Sequence, residues 1–324
     1  MNMEISSKRR VILYYACGGL LFIILCLIPF LLSPYQKFLL TLALIYGLFA
    51  MSYDIVLGYV GLVSVCHATQ FGIAAYGAII VMERLGSSLW FASLIGVSLS
   101  IVVAWIIGFF STRARGSGFI IMTIIFALAF YTVTLTWTNF TGGENGLILS
   151  TRSAAVIPGF LNLSFKVGSV SLYYLTLIML IVSYLICRRI MSSPLGMIFQ
   201  AIKGNEERAK AIGYSVDRYK IIANIIAGVF ASVAGILFML ANSFVSADMV
   251  GVFPSAEVII WTLLGGPGTL VGPMLAAIFM TYFMEFLRAL TENYLIILGL
   301  FFFFAVILFP DGVVGFIRDK LGSS

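Results

Sequence analysis

The sequence predicts an all-α polytopic membrane protein, a single helical bundle of about ten membrane segments. Three observations predict it. Of 324 residues, 61% are hydrophobic and 10% charged, against about 25% charged in soluble domains. Apolar stretches of about 20 residues, enough to cross roughly 30 Å of hydrocarbon, recur along the whole length. The short alternating segments of a β-barrel are missing, and a lipid-exposed chain that is not a barrel satisfies its backbone only as helix.

The segments lie near 11–32, 38–57, 68–82, 89–110, 118–138, 170–187, 221–241, 255–264, 270–287 and 294–309. The first follows Lys8, Arg9 and Arg10. It is longer than a signal-peptide core and has no small-residue cleavage site, so it reads as an uncleaved span. The third and eighth are short and flanked by glycine, which suits half-helices or re-entrant pieces. With the N-terminus inside, only Lys37, Arg84, Arg152, Lys166 and Arg288 of the 19 basic residues fall outside. The positive-inside rule therefore places both termini in the cytoplasm. The second and seventh segments run in opposite directions, and each opens a group of four with a short second member. That is the pattern of an inverted repeat.

The net charge of +6 reports this orientation, not a nucleic-acid partner. Cys17, Cys26, Cys66 and Cys187 sit in different apolar stretches, so they read as small core residues with no disulfide or metal site.

A charged segment, 193–213, interrupts the hydrocarbon between the sixth and seventh spans. Ser193 suits an N-cap and Pro194 the first helical position. Leu195, Ile198, Phe199 and Ile202 then form one apolar face. Lys203 favours a helix C-terminus, with Gly204 beyond it. Asn205 can cap a second short helix that has Glu206 and Glu207 at its positive end and pairs Glu206 with Lys210. Gly213 closes it. The apolar face fits either the bilayer surface or a groove in a cytoplasmic partner. Periodicity alone does not choose.

Motifs do. "SPLGMIFQAIKGNEERAKAIGYSVDRYK" resembles the cytoplasmic loop of LivM-type permease subunits of branched-chain amino acid ABC importers. Four other stretches resemble the same family in order: "GYVGLVSVCHATQFGIAAY" (58–76), "RARGSGFIIMTIIFA" (113–127), "TGGENGL" (141–147) and "LLGGPGTLVGPMLAA" (263–277). The resemblance runs from about residue 42 to the end. It implies one transmembrane half of an importer in the bacterial inner membrane. Its implied partners are a second homologous permease, a periplasmic solute-binding protein and two cytoplasmic ATPases that bind ATP and Mg. The helix at 194–203 would transmit ATPase closure through Pro194, Leu195, Ile198, Phe199, Ile202, Lys203, Asn205 and Glu206, with Phe199 and Ile202 as anchors. Cys66, Gln70, Ala74 and "GSGFII" depart from the family pattern beside the implied substrate path, which leaves a solute other than leucine, isoleucine or valine open.

The substrate-path candidates are Asp54, Ser64, His67, Gln70, Thr141, Glu144 and Asn145. Asp54 sits inside a span, where a charge is costly. It either caps a broken helix or pairs with His67, or else it faces the path. His67 is the only histidine, so it reads as a hydrogen-bonded residue of a helix break, with Ser64 and Gln70 satisfying freed backbone groups. The backbone over 58–71 is expected to be non-helical. Thr141–Gly146 either cradles a carboxylate or forms an outer turn, and Gly265–Gly268 forms an inner one. Glu257 and Glu285 would serve a secondary ion-coupled transporter, the rival reading beside a channel, or else lie at an interface with water. No P-loop, zinc signature or nucleophile elbow occurs, so the chain reads as a non-catalytic subunit with no cofactor of its own.

Overall fold

The computed structural model describes residues 27–114, 116–150 and 168–308, together with residues 25 and 312. The expected span at 11–32 lies mostly outside the described residues, as do Arg152, Lys166, Cys17 and Cys26. Each of the other nine expected segments meets a helix.

Helix α1, Pro34–Asp54, opens on a complete capping box. Ser33 Oγ accepts from the Gln36 amide at 3.3 Å, and the Gln36 side chain accepts from the Ser33 amide at 3.2 Å. It continues as a π-helical segment, Ile55–Val60, and stops at Gly61, whose φ is +79°. The first bundle group continues with α2 (His67–Leu85), α3 (Leu89–Ser111) and α4 (Ser117–Thr136). A short α5 (Thr138–Thr141) and then α6 (Val170–Met191) follow. The charged loop folds as α7 (Pro194–Gly204) and α8 (Glu206–Ala211). The second group is α9 (Val216–Asn242), α10 (Val252–Gly265), α11 (Val271–Leu290) and α12 (Tyr294–Leu308).

Among the described residues, six helices are long and apolar enough to cross a membrane: Pro34–Val60 with its π segment, α3, α4, α6, α9 and α11. The chain is an all-α polytopic membrane protein. Burial sorts the spans into core and periphery. The Pro34–Val60 span is 83% buried and α9 61%, whereas α4 is 22% and α11 28%. The first two are therefore the spine of the bundle, and α4 turns most of its side chains outward.

One element was not anticipated. Strand β1, Leu147–Ile148, pairs antiparallel with β2, Phe244–Val245. Two residues per strand leave too little periodicity to read from sequence.

The loop helices form broadly as their residue types dictate, with two differences. Asn205 caps α8, its Oδ1 accepting from the Arg208 amide at 2.9 Å. The Ser193 hydroxyl does not cap α7; it donates back to the Ile190 carbonyl at 2.6 Å. Gly204 is the last residue of α7 and has no positive φ. The larger difference is what α7 buries. Phe199 is 0% and Ile202 4% exposed, because α7 lies against the π segment, α6 and α9 of its own chain. The anchors expected to face a partner face inward, and a surface-lying helix would leave that same face bare.

Candidate functional site

The site is built around the break between α1 and α2. The expected non-helical stretch at 58–71 is shorter in the structure: helix persists to Val60, and α2 begins at His67, which leaves residues 61–66 as the break. A π turn followed by a left-handed glycine frees carbonyls that an uninterrupted helix would use. Side chains from α4, α7 and α10, and Tyr53 of α1 itself, satisfy the exposed groups.

Asp54 is fully buried at the end of α1. It does not pair with His67. Its Oδ1 accepts from the Gly268 amide at 2.7 Å and its Oδ2 from the Leu270 amide at 2.8 Å. Those amides belong to the turn between α10 and α11, where Gly266, Gly268 and Leu270 all have positive φ. A carboxylate there meets two free N–H groups and the positive end of α11, which is how a buried charge becomes tolerable. The glycine turn at 265–268 is thus a receptor for Asp54 as well as backbone punctuation.

His67 opens α2 and is fully buried. Its Nε2 is 2.8 Å from Ser52 Oγ, its ring stacks on Phe49 at 5.3 Å, and it meets Tyr53 edge-on at 5.2 Å. Ser64 lies in the break, its amide donating to the Tyr53 hydroxyl at 3.1 Å. The Val65 amide donates to Thr123 on α4 at 3.1 Å, and the Ala68 amide to Ser255 on α10 at 2.9 Å. Gln70 serves another side chain, not backbone: its Nε2 donates to Asn224 Oδ1 at 3.3 Å, and Asn224 Nδ2 donates to the Ala104 carbonyl at 2.7 Å.

Lys203 enters from the α7–α8 loop. Its Nζ donates to the Gly58 carbonyl at 2.7 Å, so the last residue but one of α7 caps the C-terminal end of the first span. Glu206 is bound within the loop, accepting from Lys210 at 2.8 Å and Lys220 at 2.7 Å.

The structure therefore gathers Asp54, Ser64, His67, Gln70 and Lys203 about one break. Thr141, Glu144 and Asn145 are elsewhere. Thr141 is buried and donates to the Thr134 carbonyl at 2.6 Å, while Glu144 and Asn145 are exposed in a turn whose Gly142, Gly143 and Gly146 have positive φ. Sequence reading missed Ser52, Tyr53, Thr123, Asn224 and Ser255. Asn224, a polar residue in an otherwise apolar span, carried a usable signal; the hydroxyls did not.

Two of the three carboxylates named for an ion-coupled carrier are occupied. Both Asp54 oxygens hold backbone amides, and Glu285 accepts from Tyr35 and lies 3.8 Å from Arg288. Glu257 is half-buried on α10. Among the described residues no group of three or more His, Cys, Asp or Glu could hold a metal.

Residues 36–309, which contain the whole break and both helix groups, match the family described as the permease component of branched-chain amino acid transport systems. The chain belongs to that family. It is similar to the high-affinity branched-chain amino acid transport system permease protein LivM of Escherichia coli (strain K12), with 26% identity over 310 residues, covering 90% of this chain and 73% of the relative. LivM of Salmonella typhimurium (strain LT2) is similar to the same degree, 26% over 310 residues. No solved structure matches the chain. This protein is a transmembrane permease subunit of an ATP-binding-cassette importer.

Proposed function

We propose that this permease forms half of the pathway by which a branched-chain amino acid, or a related small polar solute, crosses the bacterial inner membrane. A second homologous permease supplies the other half, and a periplasmic binding protein delivers the solute. Two cytoplasmic ATPases, which bind ATP and Mg, drive alternating access. Both termini face the cytoplasm, and the α7–α8 loop is where ATPase closure is received. The match of residues 36–309 to the family carries the reading. The given sequence carries no P-loop, which agrees with an energy source in another chain.

In this reading α1–α4 and α9–α12 are two inverted repeats, and the packing supports the pairing. Helix α1 lies on α11, while α9 lies on α3, so the first helix of each group meets the third of the other. Both contacts close over a glycine. A Cβ at Gly47 would stand 3.1 Å from Met274 Cγ, and one at Gly108 would stand 3.4 Å from Ile221 Cα. Each second helix also meets its own third helix glycine on glycine, Gly77 with Gly96 and Gly265 with Gly272; only α10, with 14 residues, is short as expected, whereas α2 runs 19.

Reconstitution of the permease with its cognate partners in proteoliposomes tests the proposal. ATP-dependent uptake of radiolabelled leucine, isoleucine or valine is expected. Uptake driven by a proton or sodium gradient without ATPase would overturn it in favour of a secondary carrier.

A further inference from the structure

We propose that Lys203 is a positioning residue that ties the cytoplasmic helix α7 to both broken elements of the membrane core through Gly58 and Asp54, so that α1 and the α10–α11 turn move with α7 as one unit. This rests on the reading of α7 as the element that receives ATPase closure.

Three contacts in series make the tie. Lys203 Nζ donates to the Gly58 carbonyl at 2.7 Å. That carbonyl lies in the π segment, near a helix C-terminus, where a cation is favoured by the helix dipole and by an unused acceptor. Gly58 in turn touches Asp54 directly: a Cβ built there would collide with the Asp54 carboxylate and with the Gly268 amide nitrogen. Asp54 then holds the Gly268 and Leu270 amides at 2.7 and 2.8 Å. The path from α7 to the start of α11 is continuous, with no apolar side chain interposed and no slack for a methyl group.

The stem of Lys203 is fixed as well. Gly61 has a φ of +79°, and a Cβ there would lie 3.0 Å from Lys203 Cγ. The chain turns tightly under the lysine, and the ammonium reaches one carbonyl beyond. Phe199 and Ile202 of the same helix are buried against the chain, so α7 cannot slide over the bundle without carrying this contact along. Opposite charges bracket Gly58, the ammonium outside and the carboxylate inside. That arrangement transmits a pull or a push on α7 to two separate elements at once, the end of α1 and the start of α11.

The test uses the importer assembled with its cognate ATPases, with wild type, Lys203→Met, Lys203→Arg, Asp54→Asn and the double variant Lys203→Met/Asp54→Asn. Losing a hydrogen bond to a charged group shifts an equilibrium by about tenfold or more. Lys203→Met is expected to recover ATPase in pull-down at wild-type yield, while ATP hydrolysed per solute carried rises about tenfold. Lys203→Arg, which keeps the charge and a donor, should stay within about threefold of wild type. The double variant should add little to either single change, because both cut one path. A merely structural lysine would lower uptake and ATP turnover together, leaving their ratio unchanged, and its effect would add to that of Asp54→Asn; either result overturns the proposal. Hydrogen exchange of the full chain in lipid nanodiscs, without ATPase, reads the tie whatever drives transport. Lys203→Met should speed exchange in residues 55–62 and also in 266–271, and faster exchange confined to 55–62 would overturn the tie beyond Gly58. Gradient-driven uptake by the wild-type chain would instead sink the importer reading and leave the exchange result standing.

Discussion

Gly58 has room for a hydrogen and nothing more, since a methyl would meet the Asp54 carboxylate and the Gly268 amide. Gly58→Ala is therefore expected to disorder the break, because neither neighbour is the free end of a flexible chain. Fluorescence-detected size-exclusion in detergent should show a large loss of the folded peak, whereas Gly204→Ala, which meets nothing within 4 Å, should leave it intact. Phe199 makes the contrasting case. Its ring is fully buried within its own chain, and truncating a buried aromatic costs about 3–5 kcal/mol. Phe199→Ala should lower the thermal midpoint of the isolated permease in detergent. An unchanged midpoint would mean that the ring is free to anchor a partner after all. At this scale the sequence named the special residues but not their partners. Asp54 and His67 stood out as polar groups in hydrocarbon, yet their contacts, Gly268 with Leu270 and Ser52, lie on elements that periodicity does not connect.

Elements were more legible than residues. The proline, the capping asparagine and the apolar spacing of 193–213 specify two short helices, and two short helices form. Helix α8 also carries a pH-dependent contribution. Partial burial alone would raise the Glu206 carboxyl, but hydrogen bonds from Lys210 and Lys220 more than offset that and hold it below its ordinary value of 4.5. A depressed carboxylate stabilises the fold above the unfolded value and loses that contribution as pH falls through the folded one. Helix α8 should therefore loosen on the acid side of 4.5. The effect is small, because the side chain is a third exposed and solvent screens the pair. Hydrogen exchange of residues 206–220 between pH 3 and 6, corrected for the intrinsic rate, would show it as a loss of protection, and Glu206→Gln should abolish the pH dependence. What the spacing could not foresee is the direction of α7. An apolar stripe looks the same whether it meets lipid, another protein or its own bundle.

For the whole molecule, the distribution of basic residues predicts a sidedness that the helices make testable. Single cysteines at Glu144 and at Asp217, both exposed, should react with a membrane-impermeant maleimide from opposite sides. Glu144→Cys is expected to label in intact cells and Asp217→Cys only after permeabilisation. The reverse pattern, or labelling of both from outside, would overturn the cytoplasmic placement of the termini. The bundle also explains why one chain can house two broken elements without unravelling. Amides freed at the start of α2 and in the α10–α11 turn are taken by side chains of neighbouring elements, Ser255 of α10 and Asp54 of α1.

By itself the sequence determined the class of the protein, nearly all its described helices and, through five ordered motifs, its family. Those properties follow from local composition and spacing, which each segment carries alone. The tertiary structure decided which residues share a site. Asp54 meets a turn 214 residues later in the chain, Gln70 meets Asn224, and Lys203 points back into the membrane instead of out toward a partner. Each of these is a choice among several chemically adequate partners. A buried carboxylate accepts from any free amide and an ammonium donates to any free carbonyl, so side-chain chemistry fixes the need for a partner, and only the packed bundle fixes which one stands within reach.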